Sequence, residues 1–513
     1  MTRHAVAVRI AGAALVLGMV WDGMMRWVPW GVNALVWVTL FVIAGIGCRV
    51  SGIRGVAAHE TGAAGPHTSD TRHLTPDTLF PALASLLAAI GIAWRDCETL
   101  IVLDVLLLIF FLPLLGLGAR GVRLHAAGIG KIVLAYVLTG IQAVAGLPML
   151  LARDLDWSLL PRAGNGRLRV VLRGTLIALP ALLVFGGLLS SADAQFERLM
   201  RTVFTFRIEE LFLHLFVTAV IAAICAGFLR SFAYSDTLPE LGFRPFTLAP
   251  AETTFALGLV NVLFALFVAV QFRYFFGAAP DTLSAYARRG FFELVWVVML
   301  VVPMLLLLDW LVDRERGLAL FRTMVLVQIV LVLIIAASAY YRMYLYRAEF
   351  GLTRDRLFTT AFMIWLAVVL VWMALTVLTG RRDRFAIGAM ATGVAAVVIL
   401  HAINPDAMIV RTNLDRASKR PFDVRYAISL SADAAEVIFT DRRFPQLLMY
   451  EIAQQQPRTI DWRTWNLSRW RAARLASAYR YESKATPPMR PGRPPGSMRE
   501  SRSSRRLEIS RNR

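Results

Sequence analysis

Cysteine is nearly absent, and its scarcity removes two classes of protein at once. Cys48, Cys97 and Cys225 are the three thiols in 513 residues. They show no CxxC spacing and no evident pairing, so neither a disulfide framework nor a cysteine-held metal is expected. Charge is sparse as well: Asp, Glu, Lys and Arg make up 18% of the chain against 57% hydrophobic residues. One soluble core of this length would not need so much apolar surface, and a membrane protein does. Motifs that announce catalysis are also missing. There is no Gly-rich loop ending in Lys-Ser or Lys-Thr, no HExxH, no GxSxG and no kinase string. No cofactor is implied.

What is present is a series of apolar runs long enough to cross a hydrocarbon layer roughly 30 Å thick. Twelve spans are expected near residues 5–21, 28–48, 79–94, 99–118, 128–152 and 168–189, then 208–229, 253–276, 291–312, 318–341, 357–378 and 385–403. Lipid offers an exposed peptide group no hydrogen-bond partner, so these runs must be helices, and their unbroken apolar character excludes a transmembrane barrel. The fold class is therefore all-α: a polytopic transmembrane helical protein of about 12 spans with a small helical C-terminal appendage. The basic start with Arg3 is followed by no small-residue cleavage site before Trp21 and Asp22, so the first span reads as an uncleaved anchor.

Four regions follow. Residues 1–150 hold N-terminal transmembrane helices with a His-containing loop at 49–78. Residues 151–403 form a transmembrane core, 404–486 a helical appendage, and 487–513 a disordered basic tail of Pro, Arg, Ser and Gly. Residues 404–513 carry 22 Lys and Arg against 11 Asp and Glu. This excess places the C-terminus in the cytoplasm by the positive-inside rule.

Several strings carry a family resemblance: LLSSADAQF (188–196), QFRYFFG (271–277), YARRGFFEL (286–294), EFGLTRDR (349–356), NPDAMIVRTN (404–413) and SLSADA (429–434). Together they resemble bacterial inner-membrane proteins known as a domain of unknown function of the 4153/4173 type, over roughly residues 153–481. The resemblance implies the bacterial inner membrane and carries no activity with it.

Candidate site residues fall into three sets. Tyr286, Arg288, Arg289 and Glu293 sit where a loop enters a span. Adjacent guanidinium groups there suit a lipid headgroup or another anionic ligand, although positive-inside anchoring explains the same residues. Asp104, Gln142, His214, Asn261 and Gln328 are polar groups within spans; they serve either a solute path or interhelical hydrogen bonding. Asp193, Asn404, Asp406, Arg411, Asn413 and Asp433 read as structural. Asp193 and Asp433 are expected to start helices in the two Ser-Ala-Asp-Ala strings, and Asp406 is expected to pair with Arg411 where the last span ends.

His59, His67 and His73 match no metal-ligand spacing. In the appendage, Trp462, Trp465 and Trp470 alternate with Arg463, Arg469, Arg471 and Arg474. That mix suits anionic headgroups better than nucleic acid because the segment is tethered beside the bilayer. Membrane lipids are thus expected partners, along with a protein partner at the cytoplasmic tail. The functional expectation is a binding, scaffolding or sensing component. A transporter of a small or lipidic solute is the alternative, suggested by Pro113, Pro148, Pro180 and Pro303 within spans. A transferase acting on a phosphorylated lipid comes third.

Overall fold

In the computed structural model the described residues are 2–60, 76–116, 129–156, 208–234, 248–276, 291–312 and 318–485, except 378, 382, 418–420, 445 and 458, plus isolated positions between 174 and 196. Among them every regular element is helical, and the one β-bridge joins Leu248 to Val312. The long helices are α1 (Arg3–Met25), α2 (Val32–Glu60), α3 (Pro76–Trp94), α4 (Glu98–Leu114), α5 (Ile129–Met149), α6 (Ile208–Ala233), α7 (Pro250–Phe276), α8 (Phe291–Leu311), α9 (Leu318–Phe350), α10 (Arg354–Val377) and α11 (Asp383–Ile403).

Among the described residues, ten helices are long and apolar enough to cross a membrane. Helix α4, at 17 residues, is about 26 Å long, a little less than a hydrocarbon layer of roughly 30 Å. The span expected at 168–189 lies largely outside the described residues. The sequence predicts a loop over 49–78, but α2 continues to Glu60 and α3 already begins at Pro76.

The bundle has two groups. In the first, α1, α2, α3, α5 and α6 enclose Val6, Ile10, Leu17, Phe41, Ile92, Leu229 and Phe232. In the second, α7 to α10 pack around α9, whose Phe321, Val325, Ile329 and Val332 are almost fully buried. Helix α11 joins them: it packs on α10, and its Val394 sits among Ala84 of α3, Phe111 and Leu114 of α4, and Ile132 of α5. Lipid gives no hydrophobic drive to helix pairing, so close backbone approach carries it. Gly146 of α5 and Gly227 of α6 face one another, and a Cβ on Gly227 would strike the backbone of Ala143. The outward faces are apolar, with Phe216 on α6 and Leu259, Val262, Leu263 and Leu266 on α7 all exposed. Such surfaces suit hydrocarbon and not water.

Beyond α11 the chain folds into an appendage. It comprises α12 (Pro405–Asp415), α13 (Val424–Ile428), a 3-10 turn (Ala432–Ala434), α14 (Ala435–Thr440), α15 (Gln446–Gln455), a second 3-10 turn (Trp462–Thr464) and α16 (Leu467–Ala485). Its core is Val410, Leu414, Val437, Ile438, Phe444, Met449 and Ile452, with α16 packed across α14 and α15.

Candidate functional site

Polar side chains gather where the appendage meets the ends of α3, α4, α10 and α11. Helix α11 stops at Ile403 because Asn404 takes a left-handed conformation, φ 55°, that Asn tolerates better than most residues. Its Oδ1 accepts from the Ala407 amide at 3.2 Å, capping α12, and Pro405 occupies the first turn, where a missing N–H costs nothing. Its Nδ2 donates to the Asp433 carbonyl at 3.1 Å.

Asp406, fully buried on α12, receives the Arg354 guanidinium as a fork: Nε to Oδ1 at 2.9 Å and Nη2 to Oδ2 at 2.5 Å. Oδ2 also accepts from the Ser431 amide at 3.0 Å and hydroxyl at 2.6 Å. The expected pairing with Arg411 is therefore corrected: a planar fork reaching from the start of α10 satisfies both carboxylate oxygens, and Arg411 faces outward.

Asp433 does similar work one layer away. Its Oδ2 accepts from the amides of Asp96 and Cys97 at 2.8 and 2.7 Å, and its Oδ1 accepts from the Ser468 hydroxyl. Arg95 Nη1 lies 3.5 Å from Oδ1. Ser431 is the cap of the local 3-10 turn, so Asp433 is free to cap the α3–α4 turn in place of its own helix. Asp96 in turn accepts from Arg469 Nε at 2.5 Å.

Asn466 closes two helix ends at once. Its Oδ1 accepts from the Ser468 and Arg469 amides at the start of α16, while its Nδ2 donates to the carbonyls of Ile92 and Arg95 at 2.8 Å each. The last carbonyls of α3 would otherwise lack partners. Asn413 clamps the other side, with Oδ1 accepting from the Leu352 amide and Nδ2 donating to the Leu352 carbonyl, both at 2.8 Å.

Electrostatics follow from burial and partners. Burial alone would push the Asp406 carboxyl up, but the bonds from Arg354 and Ser431 outweigh it and hold it below the ordinary 3.8. Asp96 moves the other way: burial raises it in spite of Arg469. Burial, reinforced by the neighbouring Asp406 charge, pushes the Cys97 thiol up to about 12, which leaves it protonated and a poor nucleophile.

Beneath this network lies an intramembrane pair. Asp104 of α4 is fully buried, and its Oδ2 lies 3.0 Å from Nε2 of His401 on α11, which is 3% exposed. Trp94 stacks on the imidazole with ring centroids 6.1 Å apart, and Arg95 Nε donates to the His401 carbonyl at 2.9 Å. Gly91 makes room: a Cβ there would stand 2.6 Å from His401 Nε2 and 2.7 Å from Asp104 Oδ2. The pair ties α4 to α11 inside the bundle through a carboxylate–imidazole contact. Asp104 was expected from the sequence to face protein or water, but His401 was missed because it sits in the last turn of its span, where a basic residue needs no special reason.

The remaining candidates do not join this site. Tyr286, Arg288 and Arg289 lie outside the described residues, and Glu293 is exposed in the first turn of α8. His214 of α6 bonds Asp22 and Arg26 of the α1 end. Asn261 Nδ2 donates to the Met324 carbonyl at 3.0 Å, joining α7 to α9, and Gln328 is fully buried on α9. Gln142 is half-buried on α5. Asp193 accepts from the Gln195 amide at 2.6 Å, the bond of a helix start. Of the histidine loop, 61–75 lies outside the described residues.

A membrane bundle of apolar helices closed at one end by a polar-bolted helical appendage defines a polytopic helical membrane protein. The chain belongs to the family described as Domain of unknown function (DUF4153), whose model matches residues 82–439. The match begins within α3, earlier than the resemblance suggested, and it ends in α14, taking in Asp96, Asp104, Arg354, His401, Asp406 and Asp433. No curated protein and no solved structure matches the chain.

Two outcomes follow from the Asp406 fork. Arg354→Ala leaves a buried carboxylate without its cation and is expected to cost about 3–5 kcal/mol, read as a lowered unfolding temperature in detergent. Arg354→Lys keeps the charge without the fork and loses less. Since the folded carboxyl titrates below 3.8, its contribution is complete at neutral pH and disappears as pH falls through that depressed value. Protease resistance of the appendage is thus expected to persist from pH 7 to about 4 and to fail below it, and in Asp406→Asn this acid limb is absent.

Proposed function

We propose that the protein is a sensing or scaffolding component of the bacterial inner membrane, with the appendage on the cytoplasmic side coupled to the spanning helices. One observation carries this reading: the buried carboxylates that organise the appendage are shared with the membrane bundle. Asp433 of the appendage accepts the amides at the α3–α4 turn, and Arg354 of the bundle satisfies Asp406 of the appendage. A shift of α3, α4 or α10 therefore changes the appendage's own interior bonds, which is the physical requirement for passing a signal across the boundary. The basic balance of residues 404–513 supports the cytoplasmic placement.

A photo-crosslinking amino acid at Tyr481, which is 82% exposed on α16, tests the role in intact cells. The expected result is a discrete protein adduct that diminishes in Asp433→Ala. Recovery of no protein adduct contradicts the scaffold. Labelling of a cysteine at the same position by a membrane-impermeant maleimide from outside intact spheroplasts contradicts the cytoplasmic orientation.

A second reading, proton-linked transport of a small solute, is favoured by the buried Asp104–His401 pair.

A further inference from the structure

The alternating Trp and Arg residues of the appendage are not equivalent in the fold. Arg469 is committed to Asp96, and Arg463 to Asp461 and the Gly23 carbonyl. Trp465 is half-buried, with its carbonyl accepting from the Val32 amide at 2.8 Å. Four side chains remain turned outward: Trp462 at 66% exposure, Trp470, Arg471 and Arg474. Neither Arg471 nor Arg474 has an ion-pair partner among the described residues, and the Arg474 guanidinium lies 4.8 Å from the Trp470 ring centroid.

The depth of this face is fixed. Asn466 and Ser468 bond the carbonyls of Ile92, Trp94 and Arg95, so the first turn of α16 sits at the level where α3 ends. Helix α3 has 19 residues, about 28 Å, close to one hydrocarbon thickness, which places that level at the headgroups. The helix ends on either side of the α1–α2 loop lie against the 3-10 turn that precedes α16, through the Val32 amide of α2 to the Trp465 carbonyl and Arg463 to the Gly23 carbonyl of α1. In the α1–α2 loop Trp27 adopts φ 57°, an uncommon conformation for a bulky residue, and the residue is 86% exposed. Water is a poor environment for rings so displayed, and the interface between headgroup and acyl chain is a favourable one.

We infer that the outward face of α16, carrying Trp470, Arg471 and Arg474, binds the headgroups of anionic phospholipids. Phosphate oxygens accept from the Arg471 and Arg474 guanidinium groups while the indole rings enter the boundary below them. This depends on the appendage lying against the bilayer and not on the existence of a protein partner, so the two readings fail separately.

The test titrates the full-length protein in neutral detergent with short-chain phosphatidylglycerol or phosphatidylcholine and follows tryptophan fluorescence. Phosphatidylglycerol is expected to bind more tightly. The double variant Arg471→Gln/Arg474→Gln is expected to weaken it about thirtyfold, roughly fivefold per guanidinium. Arg463→Gln, whose charge is already paired, is expected to leave it unchanged, and raised salt weakens the wild type. Equal affinity for the two lipids overturns the inference, as does an undiminished affinity in the double variant. Equal competition by inorganic phosphate would reassign the site to free anions, and tighter binding of an RNA oligomer to the same residues would reassign it to nucleic acid; either result overturns the lipid assignment.

Discussion

Burying a carboxylate at the edge of a membrane is tolerable only if every oxygen is satisfied, and this chain does so twice, at two carboxylates that share the Ser431 hydroxyl. Asp406 is met by an arginine fork and a serine, Asp433 by two backbone amides and a serine. The donors come from elements far apart in sequence, so the bonds form only when α3, α4, α10, α11 and the appendage are all in register. Removing one partner leaves a charge with no access to water, which is why the arrangement behaves as a single unit.

That unit gives the appendage its place. Apolar contact alone, such as Ile409 packed among Leu100, Leu352, Leu357 and Leu400, would leave its register on the bundle loosely specified. With that unit, α16 is pinned by Asn466 and Ser468 to the end of α3, and α12 is pinned by Asn413 to the α9–α10 turn. The Asp104–His401 pair belongs to the same construction, because Arg95 bonds the His401 carbonyl while its other end lies beside Asp433. The Asp104–His401 pair in the bundle and the organising carboxylate of the appendage are therefore linked through one side chain, Arg95.

Much of the fold was legible from the sequence because hydrocarbon imposes a single rule on every span: a long apolar run must be a helix. The helix ends were legible where the chemistry is local, as at Asn404-Pro405. Partners were not. Asp406 and Arg411 are five residues apart and invite pairing, whereas Arg354 lies 52 residues away and the fork that selects it depends on how α10 packs on α12. Asp433 misled in another way: it resembled a local helix start, but Ser431 takes that role and Asp433 caps a turn 336 residues earlier in the chain. Arg95, Asp96 and Cys97 had a signal of their own, a charged three-residue turn between two spans, which marks a hairpin whose tip must find partners outside itself.

Amide hydrogen exchange on the full-length protein in nanodiscs, comparing wild type with Asp433→Ala, tests the shared-carboxylate account most directly. The account predicts that loss of this one carboxylate accelerates exchange at Asp96 and Cys97 and, together with them, across the appendage segment 432–440 and the first turns of α16. Faster exchange confined to the α3–α4 turn, with α16 unchanged, would contradict it.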